Sequence, residues 1–177
     1  MSIMTSLSQA QAMLPGSTLL NASAETAKEI VISRIGTDSR QIERNELFVA
    51  LVGERFDAHD FLSDVAKAGA GAVLISNQDQ CPADLPAICV SNTRIGLGNL
   101  AKAWRSTHPI PLALVTGSNG KTTVKEMIAS IFKAAVGEQH TLVTKGNLNN
   151  DIGLPLTLLK LRSTDRLAVV EIGRAHV

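Results

Sequence analysis

The sequence predicts an α/β protein: a small mixed α/β domain at the N-terminus, followed by the first part of a second domain built on a parallel sheet. Short apolar strands alternate with amphipathic helices, which is typical of α/β domains. Pro109 and Pro111 interrupt this alternation, because a helix does not continue through them. Beyond them a glycine-rich turn at residues 117–120 leaves a strand and opens a helix, which is the setting of a phosphate-binding loop.

The elements of the first half are predicted from hydrophobic spacing and from glycine and proline stops. We expect helices at residues 4–14, 61–66 and 93–106. Pro15-Gly16 ends the first of these helices and Gly69 ends the second. Short runs rich in apolar and β-branched residues predict strands at residues 30–35, 46–52, 72–76 and 87–90.

The proline pair marks the predicted domain boundary. We expect a first domain at residues 1–107, a linker at 108–111 and a second domain at 112–177. In the second domain we expect strands at 112–116, 141–144 and 167–171, and helices at 121–135 and 151–161. Pro155 lies in the first turns of the last helix, where proline is tolerated. Strands that alternate with helices in this way form a parallel sheet.

Composition excludes several classes of function. The 177 residues include 17 Lys and Arg against 16 Asp and Glu, so the chain lacks the basic excess of a nucleic-acid binder. Four Phe, one Trp and no Tyr are too few for platforms that stack single-stranded bases. Cys81 and Cys89 form no CxxC spacing, which favours free thiols in a reducing cytoplasm. No apolar run approaches the roughly 18 residues of a membrane span, so we expect neither a nucleic-acid partner nor membrane insertion.

The sequence VTGSNGKTT at residues 115–123 is the sharpest local signal for function. Its glycines let backbone N–H groups converge on an anion at a helix N-terminus. Lys121 would reach the β- and γ-phosphates of a nucleotide, and Thr122 would ligate Mg²⁺. The strict phosphate-loop pattern has Gly where this chain has Val115, so a simple glycine turn before an exposed lysine is the alternative. The predicted nucleotide contacts are Gly117, Ser118, Asn119, Gly120, Lys121, Thr122 and Thr123.

Two further features of the second half are candidates for the same site. Glu171 ends an apolar strand, and ligands of open α/β sheets bind at the carboxyl ends of strands. It is therefore a candidate second Mg²⁺ ligand, the alternative being an ordinary glutamate in solvent. The cluster GNLNND at residues 146–151 is either a turn with a helix cap or a ligand loop, since three amides exceed what a cap needs.

The first half contains two polar loops. Residues 53–60 place five charged or titratable groups between a strand and a helix. This loop either binds a substrate or is a solvated segment in which Asp57 or Asp60 caps the next helix. Asp38-Ser39-Arg40 is likewise either a turn or an anion contact through Arg40.

Taken together, these motifs resemble the Mur ligase family from Ile32 to Glu171. The resemblance rests on TDSR (37–40), ELFVALVGERFDAHD (46–60), TGSNGKTTVKE (116–126), GNLNNDIGLPLTLL (146–159) and AVVE (168–171). The family shares the phosphate loop. The asparagine-rich stretch points to the branch that joins D-alanyl-D-alanine to UDP-N-acetylmuramoyl-tripeptide.

The resemblance implies a three-domain enzyme whose first domain binds the UDP-sugar-peptide, whose second binds ATP and whose third closes over both. It implies ATP- and Mg²⁺-dependent amide formation through an acyl phosphate, in cytoplasmic peptidoglycan precursor synthesis, by a monomer. The implied catalytic residues are Lys121, Asn149 and Asn150, and the implied metal ligands are Thr122 and Glu171. The implied substrate contacts are Ser39, Arg40, Arg55, Asp57, His59 and Asp60.

The six residues after Glu171, IGRAHV, depart from the family pattern. One back-translation of them coincides with a widely used sequencing adapter, so we expect residues 172–177 to be a non-native tail and give His176 no site role. The family's carbamylated lysine, later metal-site histidine, adenine contacts and third domain are also missing from the sequence, and we expect this chain alone to be inactive.

Two other functions stay open from the sequence. One is a different P-loop ATPase or kinase, which would turn over ATP without a UDP-sugar and would have no need of the TDSR and GERFDAHD motifs. The other is a UDP-sugar-binding module without catalysis of its own.

Overall fold

The computed structural model describes residues 3–173, in two compact units of the chain. We call residues 1–100 the N-terminal unit and residues 101–177 the C-terminal unit. This division falls inside a helix rather than at the proline pair, and the domain limits predicted above stay a prediction. Residues 174–177 of the predicted non-native tail lie outside the described residues.

The N-terminal unit contains most of the secondary structure. In chain order its elements are β1 (Thr5–Ser6), α1 (Leu7–Ala12), β2 (Thr18–Leu20), α2 (Ala24–Glu29), β3 (Val31–Ile32), β4 (Arg34–Gly36), β5 (Glu46–Val49), β6 (Val52–Gly53), β7 (Phe56–Asp57), α3 (Leu62–Lys67), β8 (Ala72–Ile75), β9 (Ala87–Cys89) and the start of α4 (Thr93–Ser106). Short 3₁₀ turns lie at Ala58–Phe61 and Gln78–Gln80.

A five-stranded mixed sheet organises this unit, in the order β2-β9-β8-β5-β4. The four strands from β9 to β4 are parallel, and β2 is antiparallel to β9 at one edge. All four residues of β5 and of β8 are buried, which explains why both strands are continuous apolar runs rather than alternating ones. Phe48, Val65 and Val73 pack in the core between the sheet and α3. The predicted mixed α/β fold is confirmed.

Several predicted boundaries in this unit are wrong, because strand partners change along the chain. The strand expected at 30–35 is two strands separated by Ser33: β3 pairs with β1, whereas β4 pairs with β5. The strand expected at 46–52 ends at Val49, and β6 turns back to pair with β7. The helix expected at 4–14 spans only Leu7–Ala12, starting at a capping box in which Ser6 and Gln9 bond each other's backbone N–H groups.

Helix α2 and strand β2 of the N-terminal unit are among the elements that were not predicted. Helix α2 begins after Ser23, whose hydroxyl accepts a hydrogen bond from the Thr26 N–H. Its sequence, AETAKE, buries only Ala27 and therefore lacks an apolar stripe that would indicate a helix. Strand β2 has three residues, none of them fully buried, and it forms only by pairing with β9.

The C-terminal unit comprises the end of α4, then β10 (Leu112–Val115), α5 (Lys121–Val136), β11 (Thr141–Val143), α6 (Gly153–Leu158) and β12 (Leu167–Glu171). A 3₁₀ turn lies at Glu138–His140. The three strands are parallel, as predicted, in the order β10-β12-β11. The register pairs Val115 with Glu171 and Val143 with Val169, so the carboxyl ends of all three strands share one edge.

Helix packing completes this unit. Helix α5 covers one face of the sheet through a core of Val115, Ala129 and Val169. The Trp104 indole N–H, near the end of α4, donates to the Leu161 carbonyl at 3.1 Å. Helix α6 is shorter than the predicted 151–161, since residues 151–152 form the turn that precedes it. Within residues 3–173, none of the helices is both long enough and apolar enough to cross a membrane.

Candidate nucleotide site and substrate pocket

The glycine-rich turn between β10 and α5 has the backbone that an anion cradle requires. Gly117 and Gly120 both have positive φ angles, 137° and 73°. Non-glycine residues rarely adopt such angles, so the loop needs glycine for its conformation. A Cβ at either glycine would meet no atom within 4 Å, so the space beside the loop is open.

The predicted nucleotide contacts surround this open space. Residues 116–120 are exposed, as are Thr122 and Thr123 in the first turn of α5. Lys121 begins the helix, and its ammonium group donates to the Gly117 carbonyl at 2.8 Å. This contact holds the lysine across the loop, beside the N–H groups of the first helical turn, which have no partner within the helix. An anion there would meet both a positive side chain and the positive end of the helix dipole.

Glu171 faces this loop from the end of β12. Its side chain is buried, with the residue only 2% exposed, so it is not a glutamate in solvent. One carboxylate oxygen, Oε2, accepts a hydrogen bond from the Thr122 hydroxyl at 3.1 Å. The other, Oε1, accepts from the Asn149 side-chain amide at 2.9 Å. The structure thus brings the two predicted metal ligands into contact.

Two residues of the asparagine cluster make different contacts. Asn149 contacts Glu171, and its carbonyl accepts from the Gly173 N–H at 2.6 Å. Asn150 instead caps α6, because its side-chain oxygen accepts from the Gly153 N–H at 2.7 Å. Gly153 is required for close packing, since a Cβ there would lie 2.4 Å from the Leu148 Cα.

Sequence reasoning missed two residues of this site, Lys125 and Thr144. Lys125 is 1% exposed, and its ammonium group donates to the Thr144 carbonyl at 3.0 Å. The Thr144 hydroxyl in turn accepts from the Glu171 N–H at 3.0 Å. Thr144 directly follows β11, so the strand-end rule that selected Glu171 would also have selected it. Lys125 carries no comparable signal, because a lysine in a helix ordinarily faces solvent.

A separate pocket of about 640 Å³ opens in the N-terminal unit. It is lined by Thr37, Asp38, Ser39, Arg40, Phe56, Phe61 and Asp64. The Arg40 guanidinium donates twice to the Asp38 carboxylate, at 2.8 and 2.9 Å, and these hydrogen bonds lower the pKa of Asp38 to about 2. The rings of Phe56 and Phe61 stack with their centroids 5.4 Å apart. Charged groups and an apolar platform therefore share one cavity.

The predicted substrate residues are distributed unevenly around this pocket. Ser39 and Arg40 line it. Arg55 is exposed, and Asp60 accepts a long 3.4 Å contact from Gln80. His59 is buried: its Nε2 accepts from the Ser76 N–H at 3.0 Å, so its proton lies on Nδ1, facing Asp57.

Asp57 makes its hydrogen bonds within its own loop, with His59. Its carboxylate accepts from the His59 backbone N–H at 2.9 Å and so caps the 3₁₀ turn at Ala58–Phe61. Desolvation raises the pKa of Asp57, but the hydrogen bonds from His59 outweigh this and lower it. The pair thereby stabilises the loop whose neighbouring residues, Phe56 and Phe61, enter the pocket.

Comparison with known proteins identifies the family. Residues 31–107 match the catalytic domain of the Mur ligase family, and residues 115–177 match the Mur ligase middle domain. The chain belongs to the Mur ligase family. The pocket residues fall within the first match and the nucleotide-site residues within the second.

Individual Mur ligases show the same relationship. The chain is 45% identical over 158 residues to the UDP-N-acetylmuramoyl-tripeptide–D-alanyl-D-alanine ligase of Escherichia coli (strain K12), a match covering 89% of this chain and 34% of that relative. The corresponding Haemophilus influenzae ligase is 43% identical over 159 residues, covering 89% of this chain and 35% of the relative. The chain therefore spans about a third of the length of the curated relatives it matches.

Solved structures of Mur ligases also match the fold. A ligase from Acinetobacter baumannii, described as adding D-alanyl-D-alanine, has a TM-score of 0.86 and 37% identity, covering 97% of this chain and 37% of that one. MurF ligase from Thermotoga maritima, solved in complex with ADP, has a TM-score of 0.69 and 29% identity, covering 79% of this chain and 32% of its own.

The donor atoms at the candidate nucleotide site fit magnesium. Thr122 offers a hydroxyl and Glu171 a carboxylate, and hard oxygen donors are what Mg²⁺ prefers. In the part of the chain that the structure describes, no group of three or more His, Cys, Asp or Glu could hold a metal ion. Mg²⁺ is commonly held by one or two protein ligands, substrate phosphates and water.

Proposed function

We propose that the full-length protein joins D-alanyl-D-alanine to UDP-N-acetylmuramoyl-tripeptide at the expense of ATP. The observation that carries this proposal is the contact between Thr122 and Glu171 beside the glycine loop, in a chain 45% identical to a ligase of that name. A phosphate loop facing a buried carboxylate is suited to Mg²⁺-dependent phosphoryl transfer.

The proposed reaction has two steps. A carboxylate of the tripeptide attacks the γ-phosphorus of ATP, giving an acyl phosphate and ADP. The amine of D-alanyl-D-alanine then attacks the acyl carbon, and inorganic phosphate leaves with the bridging oxygen. Phosphorylation is needed because a free carboxylate is a poor acyl donor, and the protein contributes mainly positioning and charge neutralisation.

Each residue of the nucleotide site has a proposed part in these steps. The N–H groups of residues 117–120 and the Lys121 ammonium group bind the phosphates, with Ser118, Asn119 and Thr123 at the rim of the loop. Thr122 and Glu171 hold Mg²⁺, which neutralises phosphate charge when bound. Asn149 orients the Glu171 carboxylate, whereas Asn150 holds the asparagine loop in place through the cap of α6.

The N-terminal unit would hold the UDP-sugar. In the pocket, the Ser39 hydroxyl and the Arg40 guanidinium are suited to a diphosphate, and the stacked Phe56 and Phe61 rings offer an apolar surface. Arg55 and Asp60 are exposed beside this region, and Asp57 and His59 support it from within the loop. We further propose that the protein is a cytoplasmic monomer of peptidoglycan precursor synthesis.

Isotope transfer in the full-length protein tests this function. Tripeptide substrate labelled with ¹⁸O in its reacting carboxylate is incubated with ATP, Mg²⁺ and D-alanyl-D-alanine, and the released phosphate is analysed by mass spectrometry. One ¹⁸O atom is expected in each phosphate, because the carboxylate oxygen bridges to phosphorus in the acyl phosphate. Phosphate without ¹⁸O, or ATP hydrolysis that does not need the tripeptide, would overturn the proposal in favour of another P-loop ATPase.

A further inference from the structure

Lys125 is buried in the C-terminal unit although it carries a charge. Its side chain is 2% exposed, one helical turn after Lys121. Burying an ammonium group costs free energy unless it is well paired. Here its donors reach the Thr144 carbonyl at 3.0 Å and the carboxylate of Glu126 at 2.9 Å. The contacts with Thr144 and Glu126 offset this cost and hold Lys125 in its buried position.

Thr144 is the residue that Lys125 contacts, and it joins three elements. Its N–H donates to the Val169 carbonyl of β12 at 3.1 Å, which continues the parallel pairing past the end of β11. Its hydroxyl accepts from the Glu171 N–H at 3.0 Å. Its carbonyl accepts from Lys125. Thr144 is only 1% exposed, so each of these groups would be unsatisfied without its partner.

These contacts form a closed ring that includes the two proposed metal ligands, Thr122 and Glu171. Thr122 and Lys125 lie three residues apart on α5 and therefore on one side of the helix. Thr122 contacts the Glu171 side chain, while Lys125 reaches the Glu171 backbone through Thr144. The helix is thus fixed to the end of β12 at two points. The separation between the Thr122 hydroxyl and the Glu171 carboxylate depends on both.

We infer that Lys125 and Thr144 are positioning residues that set the Mg²⁺ dependence of nucleotide binding, by fixing Glu171 relative to Thr122. This inference rests on the proposed function of Thr122 and Glu171 as the Mg²⁺ ligands. Residues that orient metal ligands from behind typically change metal affinity or activity by about 10- to 100-fold when substituted.

Matched variants of the full-length protein separate this role from simple packing. Lys125→Met keeps the apolar stem and removes the ammonium group. Thr144→Val removes the hydroxyl that holds the Glu171 N–H, whereas Thr144→Ser keeps it. Lys133→Met is the control, because Lys133 lies on the same helix but pairs with Glu138, away from the ring. Circular dichroism first checks that each variant is folded.

The readout is the ratio of ATP affinities measured by calorimetry with saturating Mg²⁺ and with EDTA. Lys125→Met and Thr144→Val are each expected to lower this ratio by roughly tenfold, and the double variant by less than the product of the two. Affinity in EDTA should be unchanged, since the glycine loop is intact. Thr144→Ser and Lys133→Met should keep the wild-type ratio. A packing role would lower stability without moving the ratio.

The outcomes distinguish this inference from the function on which it rests. A wild-type ratio in both Lys125→Met and Thr144→Val overturns the positioning role alone. If Lys125→Met does not fold, Thr144→Val decides. Loss of folding in both variants would assign these residues to the core and also overturn the inference. Wild-type full-length protein that binds no ATP with Mg²⁺ would overturn the proposed function, and the inference with it.

Discussion

The Thr122 hydroxyl donates to the Glu171 carboxylate at 3.1 Å, although the two residues lie 49 positions apart in the chain. The parallel sheet makes this contact possible, because β10 leads into the glycine loop and β12 ends beside it. A hydroxyl at the start of a helix and a buried carboxylate at the end of a strand therefore lie side by side next to the glycine loop.

Lys121→Met is expected to weaken Mg-ATP binding by roughly 10- to 100-fold, because it removes a charge-assisted contact to phosphate worth about 1.5–3 kcal/mol. The Lys121 ammonium group contacts the Gly117 carbonyl in an exposed loop, so stability should hardly change. Calorimetry and thermal unfolding of the same samples measure both quantities. Unchanged ATP affinity would remove Lys121 from the site.

Glu171→Gln is expected to change ATP binding in opposite directions with and without metal. The amide keeps the size of the side chain but loses the charge that attracts Mg²⁺, so affinity with Mg²⁺ should fall. Affinity in EDTA should rise, because the carboxylate no longer repels the triphosphate. Parallel titrations with Mg²⁺ and with EDTA check this crossover, and a fall in both would indicate a damaged fold instead of a lost metal ligand.

Glycine substitutions should have opposite effects at two positions. Gly153→Ala places a Cβ 2.4 Å from the Leu148 Cα, so it should destabilise the C-terminal unit by about 1–3 kcal/mol and weaken Mg-ATP binding through the asparagine loop. Gly98→Ala is the matched control within α4, where a Cβ would meet nothing within 4 Å. It should stabilise the N-terminal unit by about 0.5–1 kcal/mol. Denaturant unfolding of each variant gives the free-energy change, and a stabilising Gly153→Ala would contradict the packing described here.

Glu46 should make the stability of the N-terminal unit fall as the pH rises. It is fully buried, and among the described residues its Oε1 has no hydrogen-bond partner. Desolvation raises the pKa of Glu46 above its ordinary value of 4.5, despite the Glu43 N–H and Arg34, which lower it. The folded state therefore holds the proton more tightly than the unfolded state, and stability is lost as the pH rises above about 4.5, through the raised pKa.

Glu46→Gln removes the ionisable group. The free energy of unfolding of the variant should therefore fall less with rising pH than that of the wild type. Denaturant titrations from pH 4 to pH 8 compare the two proteins, and the difference between them should grow with pH until Glu46 is ionised. Parallel pH profiles would show that Glu46 does not titrate with a raised pKa.

The sequence predicted those elements whose pattern is local. Helix α4 was predicted with its observed bounds, because its apolar residues recur on one side of the helix. The buried strands β8 and β12 are continuous apolar runs and were recognised as such. By contrast, the break at Ser33 depends on which strands flank it, and α2 carries only one buried residue. Neither the break at Ser33 nor helix α2 can therefore be recognised from the neighbouring residues of the sequence.

The nucleotide site was predictable to a similar extent. The glycine loop and Glu171 follow from general rules about helix starts and strand ends. The strand-end rule also applies to Thr144, but the contacts of Thr144 with Lys125 and Glu171 do not follow from it. These contacts depend on β12 lying between β10 and β11, an order that the chain order does not specify. In the N-terminal unit, Ser39 and Arg40 were predicted as contacts, but the stacked Phe56 and Phe61 in the same pocket were not.

Separate calorimetric titrations of the full-length protein with Mg-ATP and with UDP-N-acetylmuramoyl-tripeptide test the proposed function most directly. Both ligands are expected to bind, each at one site per chain. Lys121→Met should weaken binding of Mg-ATP only, and Arg40→Met should weaken binding of UDP-N-acetylmuramoyl-tripeptide only. Binding of the tripeptide nucleotide without ATP would support a binding module instead. Folded full-length protein that binds neither ligand would contradict the proposed function.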